Sequence, residues 1–162
     1  MKLSRKLLQQ AGNDAFAWSL VPLRLIVGYG FLAHGLAKLS RGLEAFPAIV
    51  MQIGLPMPHL LGLATIAVEV VGGAAVLAGL FTRIVCLPMI VILLVAIFTV
   101  HLQYGFSSIK LLAVTPAGAQ FGQPGYETDL LYLACIAVLI VNGSGPWSID
   151  RWLLARSKVG GR

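Results

Sequence analysis

The stretch His59-Leu-Leu-Gly-Leu-Ala-Thr-Ile-Ala-Val-Glu69-Val-Val-Gly-Gly-Ala-Ala-Val-Leu-Ala-Gly-Leu80 decides the fold. It carries a single carboxylate in a run as long as the ~20 residues that a bilayer crossing needs. A helix at the surface of a soluble domain would show a polar face at 3.6-residue spacing, and this run has none. Small residues fill it instead. Gly62, Ala64, Gly72, Gly73, Ala75 and Gly79 let neighbouring backbones approach closely in lipid. The run reads as the central helix of a membrane bundle.

The rest of the 162-residue chain agrees. It is 58% hydrophobic and 11% charged, against the ~25% charged residues usual in soluble domains. Disorder, collagen and a soluble globular fold are excluded on that arithmetic. Further spans are expected at about 18–39, 84–102 and 126–142, with the quoted run as 59–80. Asn13 and Asp14 are candidate caps before the first. Residues 46–53 read as a short interfacial helix. Residues 103–125 form a connection long enough to act as a lid. Residues 147–158 read as a short amphipathic helix, with Trp147 and Trp152 dipping into lipid and Arg151, Arg156 and Lys158 among the headgroups. The expected fold is therefore all-α: one domain over 1–162, a four-transmembrane-helix bundle with an amphipathic C-terminal helix.

The net charge of +6 does not point to nucleic acid, because the basic residues are scattered and form no stripe. It sets orientation instead. Lys2, Arg5, Lys6, Arg83, Arg151, Arg156, Lys158 and Arg162 fall on one side, and only Lys38, Arg41 and Lys110 on the other. Both ends are thus expected in the cytoplasm, N-in and C-in. The two cysteines, Cys86 and Cys135, form no C-x-x-C pair, so no disulfide or thioredoxin-like motif is supported. No His pair stands at i, i+4, and no metal site is expected.

Ionisable side chains inside lipid carry the functional information, since each costs at least ~2.5–3.5 kcal/mol at the bilayer centre. Glu69 lies at mid-helix, near the midplane. Arg24 lies in the inner leaflet. His34, Lys38, His101, Glu127 and Asp129 lie toward the outer ends of three spans. Together they outline an outward-facing polar pocket. Glu69 and His34 are the candidate proton-transfer groups, and Arg24, Lys38, His101 and Glu127 the candidate substrate-binding groups. Arg24, Gly28, Phe31, Gly35 and Lys38 share one face of the first span. Plainer roles compete. Glu69 could pair with Arg24 as interhelical glue, Lys38 could snorkel to the interface, and His59 and His101 could be solvated helix ends.

These residues are similar to a known family. Arg24-Leu-Ile-Val-Gly28-Tyr-Gly-Phe-Leu-Ala-His34-Gly35-Leu-Ala-Lys38 resembles the first-helix signature of the DoxX family. Gly54-Leu-Pro56, Glu69-Val-Val-Gly-Gly73, Gly79-Leu-Phe-Thr-Arg83, His101, Glu127 and Gly143-Ser-Gly145-Pro-Trp-Ser-Ile-Asp150 continue the resemblance in order. It implies a multi-pass protein of the bacterial inner membrane. Members include a subunit of a thiosulfate:quinone oxidoreductase, a partner of superoxide dismutase and a sulfurtransferase-like protein, and a maturation subunit for methylamine dehydrogenase. The expected function is a redox-associated membrane subunit that handles a quinone or a small sulfur or thiol species in the pocket, with quinone the one cofactor to consider. The rival readings are a non-catalytic scaffold for soluble redox enzymes and a proton-coupled transporter of small solutes, the latter requiring a homo-oligomer.

Overall fold

The computed structural model describes the backbone of residues 2–159 and the side chains of residues 14–156. Lys2, Arg5, Lys6, Lys158 and Arg162, which weigh in the orientation argument, lie outside the described side chains.

Helix α1 runs unbroken over Lys2–Leu39. The caps expected at Asn13 and Asp14 do not operate, because the helix passes straight through both. No proline falls in 2–21, the weak helix formers Gly12, Asn13 and Asp14 are carried within the helix, and Pro22 is accommodated in its interior. A short helix, α2 (Ala45–Gln52), follows. Helix α3 (Pro58–Ala78) starts behind Met57, which is left-handed at φ 47°, and ends at Gly79, left-handed at φ 67°. Helix α4 (Thr82–Tyr104) returns. Helix α5 covers Glu127–Asn142, and α6 covers Ile149–Val159.

Asp14–Leu39, α3 and α4 are long and apolar enough to cross a membrane. Helix α5 has 16 residues, about 24 Å at ~1.5 Å per residue, short of a ~30 Å hydrocarbon core. The connection expected to be all loop contains an antiparallel hairpin, β1 (Leu111–Thr115) and β2 (Gly118–Phe121). Only Val114, Thr115 and Phe121 there are strong strand formers, and Gly118-Ala-Gln120 are weak ones, so the local sequence carries little strand signal.

Backbone contact between α1 and α3 organises the bundle. A Cβ on Gly73 would lie 2.5 Å from the Leu32 amide nitrogen, and one on Gly28 would lie 2.6 Å from that of Leu77. Gly35 is equally tight against Glu69 and Val70. The core beside this seam holds Val27, Phe31, Val76, Met89, Ile136 and Leu139. Most other large apolar side chains are exposed, as in Ile26, Val71, Ile84 and Phe98. Such an inside-out distribution suits a hydrocarbon solvent.

Two helices depart from α geometry within the bundle. A π-helical turn spans Val68–Gly72 in α3, and a second spans Ile97–His101 in α4. Such turns shift the helical register by one residue and favour functional positions. The first carries Glu69 and the second carries His101.

Candidate functional site

A cavity of about 760 Å³ lies between the helices, with walls contributed by α1, α2, α3, α4 and α5. Most of its lining is aliphatic or aromatic. The polar exceptions include His34, Lys38, Glu69, His101 and Asp129.

Lys38 and Glu69 form an ion pair across the α1–α3 seam. The close approach at Gly35 brings the helices together, and Lys38, one turn further along α1, then reaches the Glu69 Oε1 atom. Lys38 also stands 4.5 Å above the Phe46 ring centroid, a cation–π contact from α2. Glu69 is only 4% exposed. Its second oxygen, Oε2, is buried without a hydrogen-bond partner. A buried acceptor left open costs ~1–3 kcal/mol, so a hydrogen-bond donor delivered into the cavity would recover that energy.

The second pair is His101 with Asp129. The His101 Nδ1 atom lies 2.5 Å from Asp129 Oδ2. A carboxylate on Nδ1 fixes the ring orientation and leaves Nε2 as the exchangeable nitrogen. Asp129 is buried in the first turn of α5, and His101 is half-buried at the end of the π turn. His34 lines the same cavity, is exposed, and has no hydrogen-bond or ion-pair partner among the described residues.

Two expected site residues stand elsewhere. Arg24 does not line the cavity. Its Nη1 donates to the Ser144 carbonyl at 2.7 Å and to that of Pro146 at 3.3 Å, and its Nη2 donates to that of Trp147 at 2.9 Å. Arg24 thus closes the turn after α5. Neither substrate contact nor glue to Glu69 describes it. Asp150 secures the same region, accepting from the Phe81 and Thr82 amides at 2.8 and 3.3 Å. Glu127 is the other departure. Its Oε2 accepts from the Ser108 amide at 3.0 Å and ties the connection down.

Asp129 takes the place expected for Glu127, and helical phase explains why. Asp129, Ile136 and Leu139 are buried on one face of α5, with Tyr132 on the same face, whereas Glu127 lies two residues off that phase. The other additions are Phe46, Thr128 and Tyr132. Tyr132 packs edge-to-face on Phe31, with ring centroids 5.8 Å apart. The hairpin does not line the cavity. Only the end of the connection, at Pro124 and Gly125, reaches it. His59 pairs with Glu44 on the exposed surface. Cys86 and Cys135 are both free, and no metal-holding cluster occurs among the described residues.

Residues 19–102 match the family model described as DoxX. A Mycobacterium tuberculosis relative, "Uncharacterized membrane protein Rv3486", is 31% identical over 150 residues, covering 88% of this chain and 86% of its own. The Bacillus subtilis protein "Putative oxidoreductase CatD" is 37% identical over 148 residues, covering 91% of this chain and 96% of its own. No solved structure matches.

Proposed function

The chain belongs to the DoxX family of membrane proteins, and from that premise we propose that it is a redox-associated subunit of the bacterial inner membrane. In this reading its cavity holds a quinone head or a small sulfur or thiol species. The carrying observation is Glu69, a buried and half-paired carboxylate in the wall of a largely apolar cavity. Ligand sites of this kind combine an apolar slot with a few convergent polar groups. The name of the Bacillus relative adds the redox association.

The topology that serves this role has four crossings with both ends in the cytoplasm. Helix α5 is the fourth, its shortness met by local thinning of the bilayer. Arg83, Arg151 and Arg156 then face the cytoplasm, and α6 lies along the inner surface. Trp152 stacks under Arg156 there, with the guanidinium 3.8 Å from the ring centroid.

Reduction of a quinone head consumes protons together with electrons. Glu69 and His101 are the groups that would hold and pass those protons, with His34 beside them in the cavity wall. Lys38 keeps Glu69 in position, and Asp129 does the same for His101. Electrons would come from a soluble redox partner.

The test is mild extraction followed by analysis of bound lipophilic cofactors, and an assay of quinone reduction with sulfur donors. A co-purifying quinone whose reduction is lost in Glu69→Gln and His34→Ala supports the reading. Absence of both a bound quinone and donor-dependent reduction would defeat it.

The hairpin favours a second reading, a scaffold for soluble redox enzymes. Leu111, Leu112, Val114 and Phe121 are all exposed there, and a lone two-stranded hairpin needs further cover to be stable. In that case partner binding survives Glu69→Gln and is lost on Val114→Asp.

A further inference from the structure

The walls of the cavity differ in how they close. Helix α3 meets α4 tightly at Gly72, where an added Cβ would lie 3.1 Å from Met89 and 3.2 Å from Val85. Toward its N-terminus α3 turns to other partners: a Cβ on Gly62 would strike Pro47 of α2 at 2.8 Å. The chief contacts of residues 58–67 are with α1 and α2, not with α4. A cleft is therefore left between the first half of α3 and the second half of α4, and the cavity fills it. Leu61, Ala64 and Val68 line one side, and Val91, Ile92 and Val95 the other. Val91 is 60% exposed and Val95 38%, so this side opens outward through residues that face hydrocarbon.

The slot is long. Its lining on α4 runs from Pro88 to His101, roughly 20 Å at ~1.5 Å per residue. The cation on Lys38 is already matched by Glu69, and Asp129 adds a second carboxylate beside His101. Among the described residues, no unpaired lysine or arginine lines the cavity to receive an anion. The groups that remain open are hydrogen-bonding ones: the bare Glu69 Oε2 and the unpartnered His34 ring.

We propose that the cavity is loaded sideways from the bilayer, through the α3–α4 cleft, by an amphiphile with an uncharged hydrogen-bonding head and an apolar tail. The head lies among Glu69, His34 and His101, where a hydroxyl of its reduced form donates to Glu69 Oε2, and the tail lies in the cleft between Ala64 and Val91. The proposal rests on the ligand-binding reading of the same cavity and narrows it. A water-soluble sulfur anion finds no free cation there, whereas a lipid-soluble molecule meets an open apolar side. A reduced isoprenoid redox carrier and a neutral lipid with a free hydroxyl share this chemistry.

The experiment uses the full chain in phosphatidylcholine nanodiscs. The probes are a long-tailed benzoquinone carried in the bilayer, the tail-less benzoquinone added to water, both kept in the reduced quinol form, and thiosulfate. Native mass spectrometry counts retained amphiphiles, and binding is read by titration. Val91→Trp and Ala64→Trp narrow the cleft at exposed positions, and Phe98→Trp is the control on a lipid-facing site outside the cavity. Retained amphiphile should fall at least about tenfold in both cleft variants and hold in the control. Tail-less quinone should bind all four proteins alike and more weakly than the tailed one does the wild type. Thiosulfate should not compete. Equal loading of wild type and cleft variants, or displacement of the tailed probe by thiosulfate, overturns the proposal. If phospholipid is retained, neither quinone binds, and the cleft variants lose the phospholipid, the sideways route stands, and the uncharged head and the quinone reading both fall.

Discussion

The two ends of the bundle handle buried charge in opposite ways. At the end near α6, Arg24 gives its guanidinium to three backbone carbonyls, and Asp150 accepts from two backbone amides. At the other end, Lys38–Glu69 and His101–Asp129 pair side chain to side chain on the wall of a cavity. Backbone carbonyls cannot leave or change protonation, so the Arg24 cluster is a fixed clasp. Paired side chains can exchange partners and protons, and Glu69 keeps one oxygen open. A buried ion is thus read best from what it binds, not from its depth in the membrane.

The sharpest way to break this comparison is at Arg24. Arg24→Met strands buried carbonyls, and thermal unfolding should show a loss of roughly 3 kcal/mol with ligand affinity unchanged in the folded fraction. A large binding defect without destabilisation would put Arg24 back in the site. Next comes Asp129→Asn, which removes the carboxylate that orients His101. Under the proposed quinone reduction, turnover should fall on the order of a hundredfold while the midpoint of unfolding moves little. The reverse pattern would make this pair a clasp as well.

Gly73→Ala probes the seam that both ends share. The new methyl meets the Leu32 and Gly28 backbone, which cannot rotate away, so a cost of about 2 kcal/mol is expected in unfolding measurements. The smallest effect belongs to Glu127→Gln. It weakens one bond to the Ser108 amide, about 1 kcal/mol, and should leave ligand titration curves superimposable on the wild type. A strong binding defect here would show that the choice of Asp129 over Glu127 is mistaken.

Much of the site was legible from helical phase. The face of Arg24, Gly28, Phe31, Gly35 and Lys38 is the face that packs inward, and Glu69 is buried together with Gly62, Gly72 and Gly73 of α3. The same reasoning, applied to α5, would have selected Asp129 with Tyr132, Ile136 and Leu139 over Glu127. Arg24 could not be assigned this way. Phase says that it points inward, but its partners sit 120 or more residues away in a turn whose position depends on how α5 ends. The π turns were equally hidden, since apolar sequences carry no mark of a one-residue change in register.

Composition and periodicity alone determined that this chain enters a bilayer and which faces of its helices turn inward, because the transfer of apolar surface and of charge into lipid is summed residue by residue. Which buried charges meet was decided only by tertiary structure. The glycine contacts at Gly28, Gly35 and Gly73 set the distance and rotation of α1 against α3, and the divergence of α3 from α4 opened the cavity. Those are properties of pairs of helices, and no single helix encodes the angle at which another will cross it.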